Sequence, residues 1–138
     1  MIRSVLAVLA GIVVLTITSF AIEAVADPLM LRVFPHALPD KAALSHNLPA
    51  SLFLFAYTSL CVAAGGYVTA WLARRSPVRH AVAMGVVQVA LTVLAMMSPR
   101  IVAPLRNWIA TLVLTIPTAW CGGLLRARQT RSVQPDAS

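Results

Sequence analysis

Few side chains in this chain have the chemistry to act on another molecule, and they are widely spaced. His36, Asp40 and His46 share one polar stretch. Two imidazoles and a carboxylate hold zinc when they converge. Pro35 and Pro39 break this stretch, however, and a solvated loop is the expected outcome. Glu23 is the one acid at the edge of an apolar run; an ion pair with Arg100 or Arg106 is expected there in preference to a bound cation. Gln88 is the only strongly polar side chain deep inside an apolar run. Its carboxamide is expected to bond across to Thr111, Thr115 or Ser59, a contact worth roughly 1 kcal/mol between membrane helices. The other use of Gln88, with Thr92 and Thr115, would be to line a solute path. His80, beside Arg79, reads as an interface histidine and not as a catalytic base. No metalloprotease His-Glu-x-x-His, Cys-x-x-Cys, dinucleotide-binding or phosphate-cradling glycine motif occurs. No catalytic, cofactor-binding or metal-ligating residue is therefore assigned, and no cofactor is expected.

The elements that must carry these groups are set by hydropathy. Residues 4–22, 47–73, 81–99 and 107–125 contain no Asp, Glu, Lys, Arg or His. The chain is 59% hydrophobic and 11% charged, with mean hydropathy +0.84. A soluble domain carries about 25% charged residues, and 138 residues cannot bury this much apolar surface in one core. A helix needs roughly 20 apolar residues to cross a hydrocarbon layer about 30 Å thick. The expected fold is therefore all-α: an integral membrane four-helix bundle, one transmembrane domain with spans at about 4–26, 49–73, 80–98 and 107–125, and a flexible basic tail over 126–138. Ala24-Val25-Ala26 has the form of a signal-peptide cleavage site, but the apolar core ahead of it is longer than such peptides carry, and an uncleaved first span is expected. Asp27-Pro28, Pro35 and Pro39 punctuate the connection to the second span, and Leu29 to Phe34 is expected to lie in the interface or on the mouth of the bundle. Pro117 should kink the fourth span and free a carbonyl one turn upstream. Cys61 and Cys121 are expected at different depths, unbridged, as small buried hydrophobes.

Net charge is +7. In a chain this apolar the excess speaks to orientation and not to nucleic acid. With four spans and both termini cytoplasmic, Arg3, Arg74, Arg75, Arg79, Arg126, Arg128 and Arg131 lie inside, against Arg32, Lys41, Arg100 and Arg106 outside. That is the bias of the positive-inside rule. Arg74, Arg75, Arg79, Arg126 and Arg128 are expected to meet anionic lipid head groups or a partner.

Small residues recur at intervals of three and four in every span, as close helix packing in lipid requires. The stripes are Thr16, Ser19 and Glu23; Ala56, Ser59, Ala63, Gly66 and Ala70; Ala81, Gly85, Gln88, Thr92 and Ala95; and Thr111, Thr115, Thr118 and Gly122. Gly65-Gly66 and Gly122-Gly123 occupy matching places, each followed by arginines, in two spans that run the same way.

The segment from Gly65-Gly66 through Arg74-Arg75-Ser76-Pro77 to His80 and Gly85, with the ending Ile116-Pro117 to Gly122-Gly123 and Arg126, resembles an uncharacterised family of small bacterial four-span inner-membrane proteins. The likeness covers about the last two thirds of the chain. It implies the fold and an inner-membrane address, and no activity. The functional expectation is a structural, assembly or regulatory membrane protein, with membrane lipids and a membrane-protein partner or a second copy of itself as contacts. The alternative is a small oligomeric transporter or channel; a membrane enzyme fits least.

Overall fold

The computed structural model describes residues 2–36, 41–73, 76–98 and 104–132. Among these it is helical, with no strand. The helices are α1 (Ile2–Val33), α2 (Lys41–His46), α3 (Leu48–Ala73), α4 (Pro77–Met96) and α5 (Leu105–Ser132). All but α2 are long and apolar enough to cross a membrane, and together they form an all-α, multi-pass bundle. α3 is the central helix, packed on α1, α4, α5 and α2. α1 and α5 sit on opposite flanks of the α3–α4 pair. Successive long helices run in alternating directions. One end of the bundle therefore gathers the starts of α1 and α4 with the ends of α3 and α5; the other gathers α2, the end of α1 and the starts of α3 and α5.

Local chemistry explains where the elements begin. The Asn47 carboxamide accepts a bond from the Ala50 amide at 3.2 Å and caps α3. Pro49 follows in the first turn, where a missing amide hydrogen costs nothing. Ser76 enters α4 in the left-handed region, φ 52°, and Pro77 starts the helix. α4 thus begins three residues ahead of the expected span.

Two helices outrun their expected ends. α1 passes through Asp27-Pro28 without a break and reaches Val33. Proline removes one backbone bond, but the chain beyond it gains a packed face: Met30 and Leu31 pack on the cluster of Leu44 from α2 and Ala50 from α3. α5 likewise continues past Leu125 to Ser132, where the sequence had suggested a flexible tail; residues 133–138 lie outside the described residues. The phenol of Tyr67 on α3 donates to Gln129 Oε1 at 2.7 Å and ties down this added length. Pro117 lies inside α5. The Thr115 hydroxyl bonds to the Thr111 carbonyl at 2.6 Å, so it does not serve the Val113 carbonyl that Pro117 leaves without its helical donor.

The inward face of α1 is not the expected one. Thr16 is exposed, and Ala7, Gly11 and Leu15 are buried instead. Ala56 of the α3 stripe is exposed as well. Hydroxyls in lipid can bond to their own helix, as Thr16 does to the Ile12 carbonyl at 2.8 Å, so a small polar residue need not face a neighbour.

Candidate functional site

The candidate side chains fall at three places in the bundle: the crossings in its middle and the clefts at its two ends. In the middle the helices meet backbone to backbone. A Cβ added at Gly66 would stand 2.5 Å from the Ala119 carbonyl oxygen, and one at Gly122 would collide with the Ala63 carbonyl oxygen. Ala63 and Gly66 on α3 therefore exchange places with Ala119 and Gly122 on α5, two equivalent Ala-x-x-Gly pairs meeting across a near-symmetric parallel crossing. Gly65 faces the other way. Its added Cβ would lie 2.8 Å from the Gly11 carbonyl oxygen and 2.5 Å from the Met84 methyl. Gly11, absent from the expected stripes, would in turn collide with the Thr69 hydroxyl. Gly85 and Gly123 serve the α4–α5 contact, against Ala119 and Ala81. The remaining core is small and apolar: Leu15, Val62, Met84 and Ala119.

Gln88 and the threonines are not joined. The Thr92 hydroxyl bonds to the Gln88 backbone carbonyl at 2.9 Å, Thr111 to Asn107 at 2.9 Å, and Thr115 to Thr111. Each hydroxyl donates to its own helix. Among the described residues no hydrogen bond reaches the Gln88 carboxamide. Thr115 and Thr118 line a crevice with Thr58 and Ser59 between α3 and α5, of only about 20 Å³, and Gln88 on α4 is not among its walls. That volume matches roughly one water.

At the α2 end, Glu23 and Asp27 stand one turn apart on α1 and line one groove of about 390 Å³. Asp27 is 7% exposed. The continuous α1 is what keeps it in the bundle, whereas its place before a proline had suggested a loop. Tyr57 on α3 is buried and packs edge-on against Phe53, ring centres 5.8 Å apart. The signal for this pair was the four-residue spacing of Glu23 and Asp27, which puts both on one helix face. Arg106 does not pair with Glu23. It donates to the His46 carbonyl at 2.6 Å, and Asn107 donates to the Ser45 carbonyl at 3.0 Å. These two residues latch α5 to the α2–α3 junction. Arg100 and Asp40 lie outside the described residues; His36 and His46 are exposed.

At the opposite end, Arg126 and Thr130 of α5 line a cleft of about 530 Å³ with Trp71, Leu72 and Pro77. A second cleft, about 390 Å³, shares Pro77 and Thr130 and is walled by Arg79. Arg128 is exposed and lines neither. Arg74 and Arg75 lie outside the described residues. The half-buried His80 sets its Nδ1 3.1 Å from the Ser76 carbonyl. Both cysteines are free; Cys61 is buried, whereas Cys121 is exposed on the outside of α5 and not the buried hydrophobe the sequence suggested.

No protein-family model, curated protein or solved structure matches the chain.

Proposed function

We propose that this chain is a non-catalytic scaffold of a bacterial inner membrane, related to the small four-span proteins its Gly-Gly and arginine-turn segments resemble, with both termini cytoplasmic and a structural, assembly or regulatory role toward a membrane partner or a second copy. The observation that carries this reading is the way the interior is filled. The crossings at Gly66–Ala119 and Gly122–Ala63 bring backbone against backbone, and the crevice beside them has room for about one water. Among the described residues the α3–α5 seam leaves no space for a solute larger than water. The arginine-bearing end, with Arg74, Arg75, Arg79, Arg126 and Arg128 in sequence around it, suits the cytoplasmic surface and its anionic head groups. Crosslinking and copurification from the native membrane test the reading. A stoichiometric protein partner or a defined self-assembly is expected. A partnerless protein that carries solute or ion flux in liposomes overturns it.

One feature favours a second reading, a small oligomeric transporter or channel. Ionisable side chains within membrane helices mark ion or proton paths more often than not, and Asp27 is buried one turn from Glu23. Flux in liposomes that disappears in Asp27→Asn would support this reading; flux absent from the unmodified protein removes it.

A further inference from the structure

We infer that the cleft of Arg126 and Thr130 binds the phosphodiester head group of an anionic phospholipid. This deepens the reading of the arginine-bearing end as a head-group-facing surface and rests on it. The cleft lies where α3 ends, α4 begins and α5 runs on beyond its apolar stretch, so it falls at the height of a head group and not of the acyl chains. Its walls are of two kinds. Leu72 and Pro77 are apolar; Arg126 and Thr130 are polar; Trp71, 57% exposed, has the amphipathic ring that settles at membrane surfaces. Among the described residues Arg126 makes no ion pair, and the two described acids, Glu23 and Asp27, lie at the far end of the bundle. A guanidinium with no counter-charge among the described residues, set in a recess at a lipid surface, matches the two free oxygens of a phosphodiester with a planar fork of donors. Arg79 walls the neighbouring cleft and adds positive potential from the other side of Pro77.

The extension of α5 builds this site. Arg126 and Thr130 are one helical turn apart on one face, and the Tyr67–Gln129 bond holds that turn against α3. A loose tail would present the same charges without the recess.

The test is lipid binding to the full chain in detergent, read by native mass spectrometry during titration with phosphatidylglycerol, phosphatidylcholine or inorganic phosphate. Phosphatidylglycerol is expected to bind in preference to phosphatidylcholine, and Arg126→Gln to weaken it by about tenfold, the scale of one charge-assisted bond pair. Arg128→Gln removes the same charge two residues away and is expected to lose several-fold less. Arg126→Lys keeps the charge without the fork and serves if the glutamine variant does not fold; it too is expected to bind more weakly than the native chain. Equal losses from the 126 and 128 glutamine variants, or a lysine variant that binds like the native chain, would reduce the site to a diffuse positive field and overturn the inference. Equal binding of phosphatidylcholine overturns it too. Displacement of the lipid by inorganic phosphate at matching concentration would assign the recess to a free anion and overturn it as well. No partner protein and no membrane orientation enters this experiment, so its failure leaves the scaffold reading standing, and failure of that reading leaves the lipid result intact.

Discussion

Glycine at the crossings is the residue-scale feature on which the bundle depends. Gly66 and Gly122 are spaced from their partners by less than a methyl group needs, and a larger side chain there must push backbone aside. Gly66→Leu and Gly122→Leu are each expected to lower stability in detergent by about 1–3 kcal/mol through overpacking, whereas Ala64→Leu, one turn-face away and exposed, stays within about 0.5 kcal/mol. Thermal unfolding of the three variants side by side checks this; equal losses would mean that α3 and α5 do not meet where described. The two cysteines give a second residue-scale outcome. Cys121 is exposed and Cys61 buried, so a lipid-soluble maleimide should modify Cys121 in the folded protein and reach Cys61 only after denaturation. The spacing of Gly65-Gly66 and Gly122-Gly123 was legible in the sequence. The partners were not: nothing in a linear pattern says that Gly66 meets Ala119 and Gly65 meets Gly11.

Among the elements, the long α1 departs furthest from expectation. Proline after an acid reads as the end of a helix, and the apolar run does stop near residue 22. Yet Met30 and Leu31 find a surface on α2 and α3, and that burial outweighs the one backbone bond lost at Pro28. Single cysteines placed along 27–33 should therefore show helical periodicity in labelling, with positions 27, 30 and 31 protected and positions 29 and 33 reactive, since Leu29 and Val33 are 58% and 57% exposed. Uniform reactivity would restore the loop. The same logic governs α5 beyond Leu125. Its last turns are basic and polar, which hydropathy alone assigns to a tail; the Tyr67–Gln129 contact is long-range and leaves no local mark. The threonines reverse the pattern. Their spacing in α4 and α5 is visible in the sequence, but Thr92, Thr111 and Thr115 each bond within their own helix, because a hydroxyl in an apolar setting takes the nearest carbonyl. Gln88 accordingly gains no partner from them, and Gln88→Leu is expected to change stability by less than about 0.5 kcal/mol.

For the molecule as a whole, alternation of the four long helices joins distant parts of the chain at two surfaces. Cysteines substituted at 76 and 129 should react with a membrane-impermeant reagent from the same side in oriented vesicles, and cysteines at 36 and 46 from the other; labelling of 76 and 129 from opposite sides would break the topology. The two ends carry unlike clefts, a recess with Arg126 at one and a groove with Glu23 and Asp27 at the other. A difference of this kind gives the two ends of the bundle unlike surfaces.

Composition and charge-free run length were enough to determine an all-α chain of four membrane-crossing helices, because transfer of some 20 apolar residues into lipid is a property of each segment taken alone. Tertiary structure decided how far α1 and α5 extend, which face of α1 turns inward, that Asp27 is buried, and that Arg126 stands in a recess. Each of those depends on a surface supplied by another helix, and lipid, which solvates apolar side chains as well as a protein core does, leaves the choice of face to close contacts that only the assembled bundle makes.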